Sequence, residues 1–335
     1  MSEKIYLSGY TKRSNTGIHC VKLDCHEGIS VDEIWSVAEE NPTYICFSID
    51  RKKMFSISSR DGGGVIYYKL DTDSDLEKYI EIDSVTGFGK APCHIYFDDE
   101  RSLLYSSNYH LGRLDIFKVE NESIHLFKTF QYEMPISRCH MAILDPSNKF
   151  LIVVNLGMDE VYIYRVDEDF RLVGVNKCLN GMGPRHIVFS KDGSFAYLLG
   201  ELDFHIDILS FDSANGEMLL IDRIKTVPDG FKGANSSSAI RLSNDGRFVY
   251  VSNRGYNSIS VYAVLDDGGL EFVQSLMVRG RIPRDFNFNA DGTLLIVGFQ
   301  DDDYVDIYRV DRDSGKLVDN IEKSLDYSEI VCVVS

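Results

Sequence analysis

No run of about 18 apolar residues occurs anywhere in the 335-residue chain, so no segment reads as a membrane-spanning helix. The opening residues, MSEKIYLSGYTKRSNTG, lack both the apolar stretch and the small-residue cleavage site of a secretory leader, and a cytoplasmic protein is expected. Cysteine is sparse and scattered: Cys20, Cys25, Cys46, Cys93, Cys139, Cys178 and Cys332 are odd in number and form no CxxC pair. That excludes a disulfide framework and a cysteine-based zinc site, and predicts buried free thiols. There are 7 prolines and no extended polar tract, which argues against disorder in a chain that is 44% hydrophobic. The one tryptophan, Trp35, is followed by serine, so the WD-repeat signature is missing. Also absent are a GxSxG elbow, a Walker loop, an HExxH pair and a dinucleotide fingerprint.

Positive charge is in deficit as well. With 35 Lys and Arg against 52 Asp and Glu the formal charge is −17, which opposes binding to nucleic acid or to an anionic membrane. A small anionic substrate would need a local group of arginines, acting within the roughly 8 Å over which salt leaves charges unscreened.

What the chain does contain is a repeat. Six segments align as an apolar strand, a turn and a second apolar strand: TYICFSIDRKKMFSISSR, CHIYFDDERSLLYSSNY, CHMAILDPSNKFLIVVNL, RHIVFSKDGSFAYLLGE, SAIRLSNDGRFVYVSNR and RDFNFNADGTLLIVGFQ. Their second positions fall at Tyr44, His94, His140, His186, Ala239 and Asp285, at intervals of 46 to 53 residues. Each is followed by a further strand pattern such as GRLDIFKVE or DEVYIYRVD. The pairs Asp192-Gly193, Asp245-Gly246 and Asp291-Gly292 predict tight hairpin turns. Helical periodicity is lacking, apart from an ambiguous piece near Ile29 to Glu40.

The two ends complete the count. KIYLSGYTKRSNTGIHCVKLD matches the second and third strands of a unit, and EIVCVVS matches a missing first strand. Joining them gives a seventh unit. The expected architecture is therefore all-β, a seven-bladed β-propeller of antiparallel sheets formed by residues 1–335 as one domain, its ring closed by pairing of the N- and C-terminal segments.

In such a ring, residues just before the first strand and just after the second lie together at one mouth of the central channel. One circle of side chains then holds Thr43-Tyr44, Cys93-His94, Cys139-His140, Arg185-His186, Ser238-Ala239 and Arg284-Asp285. The other holds Tyr10, Arg60, Tyr109, Leu156, Glu201, Arg254 and Gln300. A histidine at a strand start can simply bond a neighbouring carbonyl, and Arg185 and Arg254 can be salt-bridge partners of Glu201 that tie blades together. The same grouping suits catalysis, because guanidinium groups hold phosphate or carboxylate and stabilise a developing oxyanion, while histidine or glutamate can move a proton. Gly62-Gly63-Gly64 reads as a hairpin loop, and Asp301-Asp302-Asp303 as a solvated loop rather than a calcium site.

The segments PCHIYFDDERSLLYSSNYHLGRLDIFKV, CHMAILDPSNKFLIVVNLGMDEVYIYRV, GPRHIVFSKDGSFAYLLGEL, LSNDGRFVYVSNRGYNSISVY and IPRDFNFNADGTLLIVGFQDDDYVDIYRVDRDSGKL resemble the seven-bladed lactonase propellers. That family includes bacterial cycloisomerase-type 6-phosphogluconolactonases and fungal carboxymuconate lactonizing enzyme. The resemblance runs through almost the whole chain, and its most specific part is GPRH with a glutamate 16 residues after the arginine, followed by SNRG. It implies an active set of His140, Arg185, Glu201 and Arg254, and His94, His186 and Arg284, from the first circle of side chains, are expected to bind substrate beside them. It also implies hydrolysis of 6-phospho-D-glucono-1,5-lactone to 6-phosphogluconate, in the pentose phosphate pathway, with no metal or organic cofactor. One departure is Ser237-Ser238-Ala239, where relatives often carry an acidic residue; another is the glycine of GEL, where asparagine is frequent. A muconate-type lactonizing cycloisomerase and a noncatalytic propeller that presents a binding face are the competing readings, and the choice between His140 and Glu201 as base stays open.

Overall fold

Alternating apolar residues in the repeats form seven four-stranded antiparallel sheets arranged as the blades of a propeller. The computed structural model describes residues 2–26, 28–72, 77–167 and 169–335. Blades 1 to 6 begin with the strands Ile45–Phe47, His94–Asp98, Cys139–Leu144, Pro184–Phe189, Ser236–Leu242 and Pro283–Phe288. Blade 7 takes its first strand, Ile330–Val334, from the C-terminus and its other three from the N-terminus, as the sequence predicts. No α-helix occurs among the described residues.

The second strand of each blade is covered on both faces, which explains continuous apolar runs such as Phe150–Asn155 and Leu294–Phe299 in place of strict alternation. Seven apolar clusters result, one between each pair of adjacent blades; the cluster at the seam between blades 7 and 1 joins Tyr6, Trp35 and Cys332 to Ile45, Met54 and Tyr68. Every outer strand carries a bulge, which turns its unpaired edge away from partners.

That bulge corrects one expectation. The ambiguous piece near Ile29 to Glu40 is the outer strand Ser30–Ala38 of blade 7, where Trp35 pairs with Cys20 and Glu33 with Val21, leaving Ile34 inserted. The insertion breaks the two-residue alternation and mimics helical spacing. The Asp-Gly pairs turn hairpins as expected, within five-residue loops: the glycines at φ 75°, 81° and 72° donate to Ser190, Ser243 and Asn289, and each aspartate caps the loop. The cysteines are unpaired as expected, but Cys25 is exposed while Cys20, Cys139 and Cys332 are buried.

Ring closure depends on a close backbone approach at Gly9, where a Cβ would lie 1.9 Å from the Glu329 carbonyl oxygen. Gly9→Ala is expected to pry the C-terminal strand from its neighbour and cost about 3 kcal/mol of stability, in the range of other backbone clashes. An unchanged melting temperature for that variant would contradict this account of closure.

Candidate active site

Bulges also build the site. In blade 3, Cys139 pairs with Asn155 and Met141 with Val154, so His140 is the inserted residue. Arg185 is inserted in blade 4, Arg284 in blade 6 and Val331 in blade 7, while Ser238 and Ala239 together oppose one residue in blade 5. A bulge re-aims its side chain out of the ladder, here toward the mouth of the channel. His140 therefore shares a row with Arg185, Ser238 and Arg284. Aligned by sequence alone, it falls with His94 and His186. The ladder instead pairs His94, Met141, His186 and Asp285 each with the fifth residue of the second strand, so only two histidines share that row.

A cavity of about 450 Å³ opens at this mouth and is lined by His140, Arg185, His186, Glu201, Arg254 and Arg284. Of the seven residues singled out, His94 is the exception. It lies in a blade whose first strand has no bulge and lines a different cavity with Tyr96 and Arg241. Its ring touches the mouth from behind, through His186 at a centroid distance of 5.9 Å and Tyr44 at 4.5 Å. Tyr10, Tyr44, Cys93 and Tyr109 also line the mouth, whereas Arg60 is drawn away by Glu39 and Glu81 and Leu156 is buried. Gln300 sits behind Arg284 and accepts a 2.6 Å hydrogen bond from it.

Glu201 is the electrostatic centre. One carboxylate oxygen lies 3.0 Å from Arg185 Nε, without hydrogen-bond alignment, and the other 3.1 Å from Arg254 Nη2. The Arg254 pair spans blades 4 and 5, so part of the salt-bridge reading holds. The start of the first strand of blade 5 adds backbone acceptors: Arg185 donates to the carbonyl of Ser238, in the bulge, at 2.7 Å, and Arg254 to those of Ser236 and Ser237, just before it. Around Ser237-Ser238-Ala239, main-chain oxygens thus hold both arginines.

Burial dominates the ionisation of the group. It pushes Arg185, 4% exposed, down to about 9, with Arg254 adding repulsion and Glu201 opposing both. Burial, then Arg185 and Arg284, holds His140 well below its usual range; His186 is depressed by burial and Arg185. His94 falls to about 3, through burial and then Arg185 and Arg241. All three imidazoles are neutral at pH 7. The Nδ1 atom of His140 has no partner in the described structure. Although the His140 and His186 rings lie 5.2 Å apart, no group of three or more His, Cys, Asp or Glu among the described residues is arranged to hold a metal ion.

Because these folded pKa values lie below the unfolded value near 6.5, the unfolded chain binds more protons once the pH falls below that value. Stability is complete above about pH 6.5 and is lost as pH falls toward the folded values. Each histidine contributes about 1.4 kcal/mol per pH unit in that window. His94→Gln is expected to flatten the acid limb of the stability curve by about that slope, measured by thermal melts between pH 7 and 5. Identical slopes for variant and wild type would contradict it.

Several lining residues come from loops outside the aligned strand-turn-strand segments: Lys12, Asn41, Lys90 and His110, while Ser59 falls at the end of the first segment. No periodic cue marks the loop residues. With them the cavity carries three arginines and two lysines against Glu201 and Asp285, and Asp285 is itself paired with Arg241 at 2.9 Å. A cationic cavity thus sits inside a strongly acidic protein. A model of the lactonase, 7-bladed beta-propeller family matches residues 4–335.

The chain belongs to that family. The 6-phosphogluconolactonase of Bacillus subtilis is 30% identical over 324 residues, 93% of this chain and 92% of that one. An uncharacterized protein of Lactococcus lactis subsp. cremoris is 35% identical over 348 residues, 100% of this chain and 99% of that one. Among solved structures, a Lactobacillus plantarum protein superposes with a TM-score of 0.91 at 34% identity, covering 99% of both chains. The Pseudomonas aeruginosa periplasmic gluconolactonase shares the fold, with a TM-score of 0.92 at 24% identity over 100% of this chain and 99% of that one. A lactonase-family enzyme acting on a small molecule is the activity class these relatives support.

Proposed function

We propose that this lactonase-family protein hydrolyses 6-phospho-D-glucono-1,5-lactone, with His140, Arg185, Glu201 and Arg254 as its catalytic group and Arg284 and His186 as neighbours on the substrate. The observation that carries the reading is a cavity in which arginines surround one carboxylate beside a buried neutral imidazole. In the reaction, water adds to the lactone carbonyl carbon, the ring C–O bond breaks, and the ring oxygen leaves as a hydroxyl. The acid product then releases one proton. Arg185 and Arg254 face the oxyanion that develops on the carbonyl oxygen, a preorganised arrangement that removes the need for solvent to reorganise.

His140 suits the role of base better than Glu201, because both Glu201 oxygens are engaged with guanidinium groups. The arginine field that depresses His140 is also what an anionic substrate offsets. Binding of the anion raises the imidazole's proton affinity when water must be activated, so the base is switched on by its own substrate. Glu201 fixes the two guanidinium groups.

The test is a substrate comparison. Proton release from the phosphorylated lactone should exceed the spontaneous rate, while muconates should not turn over. Muconate turnover without lactone opening would replace this reading with the cycloisomerase one. Turnover of neither would leave a binding propeller.

A further inference from the structure

The cavity is electrically two-sided. Its blade 4 to 6 side holds Arg185, Glu201, Arg254 and Arg284, each already engaged: the first and third with Glu201 and main-chain carbonyls, the last with Gln300. The side formed by blades 7, 1 and 2 holds Lys12 and Lys90. Neither ammonium has a carboxylate partner among the described residues, in a chain with 17 excess negative charges.

Their backbones are nonetheless fixed. Asn108, itself buried, donates to the Lys90 carbonyl at 2.8 Å, and Gly63 admits the neighbouring Ala91, whose nitrogen would lie 2.3 Å from a Cβ there. Lys12 is held from both sides, with Thr11 N donating to Asn41 at 3.1 Å and Arg13 N to Glu329 at 2.6 Å. Its ammonium lies 4.5 Å from the centre of the Tyr10 ring, and the Arg284 guanidinium lies 5.6 Å from the same ring. Two unneutralised ammonium groups on pinned loops, across a cavity from committed arginines, have the chemistry of a receptor for a terminal phosphate, which lysine binds as a point charge.

We infer that Lys12 and Lys90 form the subsite for the substrate's phosphate, orienting the lactone carbonyl toward Arg185 and Arg254. This rests on the lactonase reading and adds to it which groups make the enzyme selective for a phosphorylated sugar lactone. The two lysines are binding residues and take no part in proton transfer.

The experiment measures binding of 6-phosphogluconate and of gluconate by titration calorimetry at pH 8, to wild type, to the Lys12→Met/Lys90→Met double variant and to Lys12→Arg/Lys90→Arg. Wild type should bind the phosphorylated acid at least about tenfold more tightly than gluconate. The methionine variant should lose about 100-fold for 6-phosphogluconate, about tenfold for each charged contact, and less than about threefold for gluconate, while the arginine variant keeps most of the preference. Equal loss for both ligands, no loss for either, or a wild type without preference would overturn the assignment. Thermal melts of all three proteins check folding. Failure of the lactonase reading shows separately, as absence of ring opening by wild type whatever the affinities are.

Discussion

Arg185→Met should lower kcat/KM for lactone hydrolysis by about 10²–10³, the cost of removing one preorganised oxyanion donor, while leaving the melting temperature equal to or above that of wild type. The asymmetry follows from burial. Arg185 is nearly sealed from solvent and its proton affinity is reduced by desolvation and by Arg254, so its charge is a burden on the folded state. Removing it relieves repulsion, and Glu201 keeps its partner Arg254. Glu201→Gln should do the reverse to stability. It leaves the buried Arg185 and the partly buried Arg254 without their counterion, and a loss of about 2 kcal/mol is expected, below the usual cost of breaking a fully buried pair because the Glu201 side chain is 20% exposed. Steady-state kinetics and thermal melts on the two variants separate the roles. If Arg185→Met melts far below wild type with its activity intact, the arginines are interblade clamps.

His140→Gln should reduce kcat by about 10²–10⁴ and change KM little, the range for loss of a general base. The pH profile carries the sharper expectation. In the free enzyme the imidazole is held neutral well below the ordinary histidine range, so kcat/KM should stay level from pH 8 down through 6.5. In the complex, the substrate's phosphate across the same cavity offsets part of the positive field of Arg185 and Arg284, and the acid limb of kcat should lie at higher pH than that of kcat/KM. Coincident limbs would remove the substrate-switched base from the mechanism.

The propeller was legible because it rests on features that local sequence carries. Apolar strand runs, loop residues such as Ser190 to Ser194, and the complementary patterns of Ile330–Val334 and Ser2–Gly9 all repeat or complete a repeat. The arginines and Glu201 were legible for the same reason, since strand ends fall at fixed places in each unit. What escaped was register. A bulge adds one residue without changing composition, so His140 was set beside His94 in sequence although the ladder places it beside Arg185 and Arg284. The same blindness put His94 at the mouth; lacking a bulge, its strand places the ring deeper, toward the other cavity.

Main-chain chemistry was the second thing hidden. Ser237-Ser238-Ala239 reads as the loss of an acid, but the carbonyl oxygens of Ser237 and Ser238 accept from two guanidinium groups there, and carbonyls are present at every position in any sequence. Lys12 and Lys90 were hidden for a third reason: they stand on loops between repeat strands, where only the folded ring brings residues 78 positions apart to one cavity.

The most direct measurement of the central claim is the initial rate of 6-phospho-D-glucono-1,5-lactone opening by the purified wild-type protein, followed by proton release near pH 6.5, where the spontaneous reaction is slow enough to subtract. A rate proportional to protein concentration and well above the spontaneous one is the predicted result. A rate indistinguishable from the spontaneous one, with protein whose melting curve shows it folded, would contradict it.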